Sequence, residues 1–426
     1  MNAQPVEDLP GTIDRALGGQ SILILPRTRD APITEVAPSM FAGSGRAPAL
    51  VLFTSGSTGT AKAVALSAEA LATSARATER LLAGPGEWHL SLPINHIAGF
   101  QVELRARLAG REPVRTTSAT FTADAFADEA GELFARSGGR PSYPSLVPTQ
   151  MHRILADERA PQAAAKFDAI LLGGSAISPA LLEQAAARGL SIVRTYGMSE
   201  TAGGCVYNGV PFDGVEITIT NSSTIDLRGR VVADSYVEIT PEGHIAPVDD
   251  QALTTDDDGA RSMHTSDLGR LDDGVLTVLG RADDIIVSGG TNVSPHALET
   301  GLLPIWQHHG IAEVLVTWVP DDEWGKLLVA LVRLDDSVSS AVSETMNSPR
   351  DFARCLGGLD HGMHGQLLPR LAFPVRQIPN RSIGKPDRQA AARLAAELAE
   401  PDTPCGPAPE NPIPGTVGNM RRFQFS

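Results

Sequence analysis

Thr54-Ser55-Gly56-Ser57-Thr58-Gly59-Thr60-Ala61-Lys62 sets a run of hydroxyl side chains and two glycines ahead of a lysine. The preceding Ala49-Leu50-Val51-Leu52-Phe53 is apolar and reads as a buried strand. Gly56 and Gly59 permit backbone angles and close approaches that a β-carbon blocks. Successive N–H groups can then point at phosphate oxygens, while the hydroxyls and Lys62 add donors and charge. The pattern differs from the usual nucleotide P-loop, in which Gly and Lys are adjacent and a helix follows. Here Thr60-Ala61 separates Gly59 from Lys62, and Ala63-Val64-Ala65-Leu66 reads as another short strand. The stretch is expected to be a phosphate-holding loop between two strands. The competing reading is an ordinary turn, which favours the same residue types.

The chain around it has 426 residues, 42% of them hydrophobic, enough for roughly two or three domains with substantial cores. A net charge of −15 argues against nucleic acid or an anionic membrane surface as a partner. An anionic ligand must then be held by local cations, backbone N–H groups or a metal. Cys205, Cys355 and Cys405 are far apart and lack metal-ligand spacing, which fits a reduced, cytoplasmic chain. The first residues lack the profile of a signal peptide, and no apolar run is long enough to span a bilayer.

Taken in order, Ser67 reads as the N-cap of a helix ending before Gly84-Pro85. Leu90 to Phe100 reads as a strand running into a turn that carries His96, with a helix from Gln101 to Leu108. Pro144 to Gln150 is a strand and turn, and a helix is expected from about Met151. Ala169-Ile170-Leu171-Leu172 is a buried strand ending in Gly173-Gly174-Ser175. Ser178-Pro179 opens a helix, and Ser191 to Arg194 is the next strand, ending in Thr195-Tyr196-Gly197-Met198-Ser199-Glu200-Thr201. This is a βαβ unit, so both Gly/Ser/Thr-rich stretches lie at carboxyl ends of parallel strands, where open α/β sheets bind ligands. From Gly214 to Leu279 short β segments take over. A smaller α+β part follows, with a weakly patterned insert near 335–365 and a Pro-rich tail from about 400 that reads as disordered.

Thr54–Lys62, Gly173–Ser175, Thr195–Thr201, Asp267, and Arg281–Gly290 with Lys385 resemble, in this order, the motifs of the acyl-adenylate-forming superfamily. His96-Ile97-Ala98-Gly99 with Arg105, and Ser145 to Gln150, are similar to the o-succinylbenzoate–CoA ligase family of menaquinone biosynthesis, in its compact actinobacterial form. The resemblance implies an α/β fold: a large adenylating domain with a reduced N-terminus (1–282), a small mobile α+β domain (283–398) and a tail (399–426). It implies an ATP-dependent acid–thiol ligase using Mg²⁺, with ATP, o-succinylbenzoate and CoA as small-molecule substrates. Two alternatives stay open: a ligase of the same superfamily for another aromatic or fatty acid, and a non-catalytic nucleotide-binding protein.

The resemblance also implies roles. Thr54, Ser55, Gly56, Ser57, Thr58, Gly59 and Lys62 would hold the β/γ phosphates. Gly173, Gly174, Ser175, Tyr196 and Gly197 would frame the adenine, with the Tyr196 ring stacked on it or simply packed in the core. Asp267 and Arg281 would bind the ribose, although Arg281 also suits a surface ion pair. Ser266 stands where the family usually has Gly. Glu200 would ligate Mg²⁺ and Thr201 would touch the α-phosphate. His96 would close the acid pocket and Arg105 would hold the substrate's carboxylate, against the alternatives of a structural histidine and a helix-surface arginine. Thr149 and Gln150 would line that pocket or cap a helix. Gly289 and Gly290 would line the CoA path, Asp283 would be the hinge, and Lys385 would be the catalytic lysine.

Overall fold

The computed structural model describes residues 4–54, 63–116, 118, 120–240, 242–335, 352–353, 356, 368–380 and 386–399. The two strands around the opening motif are present. Leu50–Phe53 and Ala63–Leu66 pair antiparallel, Phe53 facing Ala63. They are the middle of a seven-stranded sheet whose far side is Ser235–Ile239 and Ile245–Val248. Leu50, Val51, Val64 and Leu66 are fully buried, as an apolar run without alternation requires when both sheet faces are covered.

A second seven-stranded sheet contains the βαβ unit. Val114–Arg115, Glu87–Leu90, Ser142–Leu146, Ile170–Gly173 and Ile192–Met198 run parallel in that spatial order. Gly203–Tyr207 and Val210–Pro211 add an antiparallel edge. Between Ile170–Gly173 and Ile192–Met198 lies the helix Pro179–Ala187, whose Ser178 cap accepts from Leu181 N–H at 3.2 Å. Ser67 likewise caps Ala68–Leu81, accepting from Ala70 N–H. The helix Ile97–Leu108 starts four residues before the expected Gln101. Gly99 had the look of turn chemistry, but its role is packing: a β-carbon there would lie 2.2 Å from the Pro93 carbonyl oxygen. The helix expected from Met151 starts at Pro148, where proline's missing N–H costs nothing.

A five-stranded antiparallel sheet follows, dominated by the long pair Arg261–Asp272 and Val275–Arg281. Beyond it, Ile311–Asp321, Gly325–Leu334 and Leu371–Pro374 form a three-stranded sheet covered by the helices Pro295–Gln307 and Arg388–Ala399. Its apolar residues make their own clusters, around Trp306 and Leu302 on one face and Val329, Leu331 and Ala391 on the other. Arg388 ties this part together: it donates to both oxygens of Glu299 at 2.8 and 2.9 Å, to Asp284 at 3.0 Å, and to the Val316 carbonyl. Among the described residues no helix is long and apolar enough to cross a membrane.

Candidate active site

The parallel register sets Thr195 beside Gly173, so the two glycine-containing stretches share one edge of the sheet. Just past that pairing the register against Gly203–Tyr207 shifts between Tyr196 and Gly197, with Cys205 the extra residue on the antiparallel strand. A β-carbon on Gly197 would lie 2.1 Å from the Gly203 carbonyl oxygen, so only glycine lets these backbones meet. Bulges re-aim side chains. Here the Tyr196 hydroxyl donates to Asp267 Oδ2 at 2.8 Å, joining the parallel sheet to the antiparallel one. Burial, reinforced by the Asp267 charge, raises the Tyr196 pKa well above its ordinary value, so it stays a donor. The Tyr196 ring also packs against the core cluster around Trp88 and Tyr207, so it is both a core contact and a polar anchor.

Asp267 is mostly buried, and its second oxygen accepts from Arg281 Nη1 at 3.2 Å across the strand pair. Arg281 then grips Asp283 with two donors, at 2.9 and 2.7 Å. These hydrogen bonds hold Arg281 firmly protonated. Burial opposes ionisation of Asp283, but Arg281 outweighs it and lowers the Asp283 pKa. A carboxylate with four lone-pair sites, already anchored by a hydroxyl and a guanidinium, is a pre-aimed acceptor for a vicinal diol.

Glu200 lies in the turn Ser199–Thr201, directly after the strand. The Tyr236 hydroxyl donates to its Oε1 at 2.9 Å, and Tyr236 belongs to the strand paired with Ala63–Leu66. The carboxylate is therefore fastened to the strand next to Ala63–Leu66, the strand that follows the opening motif. Among the described residues no group of three or more His, Cys, Asp or Glu could hold a metal ion. One oxygen ligand with room for phosphate and water is the donor set that suits Mg²⁺.

Thr201 does not suit the expected α-phosphate contact. Its hydroxyl is wholly buried, accepts from Met198 N–H at 2.9 Å and donates to the Gly203 carbonyl at 2.7 Å. It builds the turn. The partly exposed hydroxyl beside Glu200 is that of Ser199, which the sequence reading passed over. Gln150 needs the same correction. Its Oε1 accepts from Val147 N–H and its Nε2 donates to the Ser91 carbonyl, so both ends of the amide are spent on capping the helix and bracing the neighbouring strand end. Thr149 is half-buried in the same first helical turn.

His96 and Arg105 are not side by side. His96 is the N-cap residue of Ile97–Leu108, while Arg105 lies near its other end, about 13.5 Å along the axis at 1.5 Å per residue. Arg105 is buried, not on the helix surface. Its guanidinium lies 5.3 Å from the centre of the Trp88 ring, within reach of the Tyr207 hydroxyl and the charge of Glu79. Its Nε has no hydrogen-bond partner. Burial lowers the Arg105 pKa and raises that of Glu79.

Thr54 follows the strand Leu50–Phe53, and Gly174 and Ser175 follow the strand Ile170–Gly173. Gly289 and Gly290 form the turn between Ile286–Ser288 and Thr291–Val293, with Gly289 N–H donating to the Trp324 carbonyl. Ser55, Gly56, Ser57, Thr58, Gly59, Lys62 and Lys385 lie outside the described residues, as does the tail beyond 399. Sequence reasoning also missed Tyr236. The chain has four tyrosines, and two of them hydrogen-bond the two motif carboxylates, Asp267 and Glu200, through contacts that only the folded chain brings together.

The family model for AMP-binding enzymes matches residues 20–250. The chain belongs to the AMP-binding enzyme family. Within that family it is 38% identical, over 83% of its own length and 86% of the relative's, to a Mycobacterium tuberculosis protein named "Probable 2-succinylbenzoate--CoA ligase". An o-succinylbenzoate CoA synthetase from Bacillus subtilis, solved with its acyl-adenylate intermediate, superposes with a TM-score of 0.63 at 25% identity, over 81% of this chain and 69% of that one. ATP-bound MatB from Rhodopseudomonas palustris gives a TM-score of 0.67 at 22% identity, over 84% of this chain and 70% of that one, a likeness of fold.

Proposed function

We propose that this chain is an ATP-dependent acid–thiol ligase that makes the CoA thioester of 2-succinylbenzoate through an acyl-adenylate, a step of menaquinone biosynthesis. The observation that carries the adenylate chemistry is the cluster Tyr196–Asp267–Arg281, a diol-accepting carboxylate at the carboxyl edge of the parallel sheet. The near full-length similarity to the mycobacterial relative supports the choice of acid.

In the first half-reaction a carboxylate oxygen of the acid forms a bond to the α-phosphorus of ATP, and pyrophosphate leaves with the electron pair. Carboxylate and phosphate repel, so the site must neutralise charge and align the two groups. Asp267 and Arg281 fix the ribose, and Thr54–Lys62 receives the departing phosphates. Glu200 would hold Mg²⁺, which when bound supplies positive charge against the phosphate oxygens. Ser199 would take the place of Thr201 as the hydroxyl at the α-phosphate. In the second half-reaction the CoA thiolate attacks the acyl carbon and AMP leaves, the thiol having given up its proton. Residues 1–282 act as the adenylating domain and 283–398 as the small domain. Asp283 is the joint, Lys385 the lysine delivered in the first step, and Gly289-Gly290 borders the CoA path. His96 closes the acid site from the helix N-terminus. Arg105, deeper in, meets the second carboxylate of a dianionic acid.

Acid-dependent pyrophosphate exchange tests this reading. Exchange is expected with 2-succinylbenzoate and Mg-ATP, and thioester once CoA is added. Exchange with benzoate, a fatty acid or sulfoacetate in its place would reassign the acid, and no exchange with any acid would favour nucleotide binding without turnover.

A further inference from the structure

Ser266 stands where the family usually carries glycine, and the structure gives its hydroxyl two partners. Its Oγ accepts from Arg281 Nη2 at 2.5 Å and donates to Asp283 Oδ2 at 3.4 Å. Its backbone carbonyl accepts from Ala282 N–H at 2.7 Å, so the side chain is held one residue before Asp283. Arg281 meanwhile uses Nε and Nη2 on Asp283 and Nη1 on Asp267. One guanidinium thus serves both the nucleotide carboxylate and the joint, and the Ser266 hydroxyl closes a ring with Arg281 and Asp283.

We propose that Ser266 is a positioning residue that fastens Asp283 to the guanidinium shared with Asp267, so that occupancy of the ribose site is felt at the joint between the two domains. The proposal rests on the adenylate-forming reading above. Ribose hydroxyls reaching Asp267 Oδ1 compete with Arg281 Nη1, the longest of the contacts that Arg281 makes to its two carboxylates. What Nη1 loses alters how the remaining donors hold Asp283. A glycine at 266 lacks the hydroxyl and adds backbone freedom next to the joint. The chain has traded that freedom for a latch, and the latch biases the equilibrium between the two domain arrangements, not the chemistry of either.

The test separates the half-reactions. Ser266→Ala removes the hydroxyl without adding glycine's flexibility, and Ser266→Thr keeps it. Pyrophosphate exchange with 2-succinylbenzoate reads the first half-reaction, and thioester formation from pre-made acyl-adenylate and CoA reads the second. In Ser266→Ala the two rates are expected to move in opposite directions by about threefold each, the scale of one hydrogen bond on a two-state balance. The KM for ATP should stay within about twofold, since one solvent-facing contact of Arg281 is all that the ribose site loses. Ser266→Thr should restore both rates. Opposite movement is the signature of a shifted balance, because a merely structural hydroxyl lowers both rates together. Both rates falling together, a change confined to the KM for ATP, or no change would each overturn the proposal. The wild-type enzyme in the same assays keeps the two ideas apart: no wild-type exchange refutes the ligase reading, whereas normal wild-type exchange with an unaltered Ser266→Ala refutes only the latch.

Discussion

Two clusters in this molecule use the same three side-chain types and do opposite things with them. Tyr196, Arg281 and the carboxylates of Asp267 and Asp283 form one; Tyr207, Arg105 and Glu79 form the other. In the first, the arginine is half-exposed and its donors are matched to carboxylates within hydrogen-bonding distance. In the second, the arginine is buried against Trp88, and both its Nε and Glu79 Oε1 are buried without a hydrogen bond. A satisfied, solvent-facing network is pre-organised and can exchange partners cheaply. A desolvated cation with open valence costs stability, about 1–3 kcal/mol for an unmet buried donor, and binds an incoming anion strongly. On the proposed function, the first cluster would hold a neutral diol and the second would meet an anion.

The largest expected effect lies in the open cluster. Asp267→Ala should raise the KM for ATP about a hundredfold, since two hydrogen bonds to a charged acceptor go with it. Steady-state kinetics decide it, and a rise below about threefold would mean that the ribose is held elsewhere. Next comes the buried cluster. Arg105→Met keeps a long side chain over Trp88 but removes the charge, and should raise the KM for 2-succinylbenzoate about tenfold with the KM for ATP unchanged. Its melting temperature should not fall, because the charge removed was incompletely paired. A lower melting temperature with unaltered kinetics would make Arg105 a structural residue and erase the contrast. Tyr236→Phe removes one neutral donor from Glu200, so the Mg²⁺ concentration for half-maximal exchange should rise only about threefold, read by metal titration.

The smallest effect is in pH. Asp283 has its pKa lowered from the ordinary 3.8, so its contribution to stability is present above 3.8 and is lost as pH falls through the lower folded value. Glu79 has its pKa raised from 4.5 by burial, so the folded state favours its neutral form. That contribution is present below 4.5 and is lost as pH rises through the higher folded value. Melting temperature against pH should therefore flatten on the acid side in Asp283→Asn and on the side above 4.5 in Glu79→Gln. Identical profiles for both variants would remove the electrostatic half of the comparison.

The sheets were legible because buried strands carry unbroken apolar runs and their helices carry caps. Ala63–Leu66, Ile170–Gly173 and the Ser67 and Ser178 caps follow from pattern alone. The helix starts at Ile97 and Pro148 were misplaced because glycine, here Gly99, and proline have both turn and packing uses, and only tertiary contacts decide between them. In the site, the structure brings Asp267 and Arg281 together and ties Glu200 to Tyr236, but which hydroxyls and amides the backbone takes could not be read from the motifs. Thr201 and Gln150 carry suitable groups for ligands, and the backbone takes them both. Tyr236 and Ser266 were out of reach for a different reason: each acts through a partner 36 or 17 residues away, on a separate strand or past a turn.

The strand pair Arg261–Asp272 and Val275–Arg281 has a consequence for how this chain can change length over time. Its ladder brings Asp267 opposite Arg281 and stops there. The ladder already accommodates one extra residue, Leu279, where its register shifts between Leu268 and Gly269, and any further residue gained or lost between there and Arg281 would shift the pairing of Asp267 with Arg281. The same insertion at the tip, around Asp273-Gly274, leaves the register untouched. Lineages descending from this sequence can therefore lengthen or shorten the hairpin at its turn more readily than along the seven residues Val275–Arg281 that follow it.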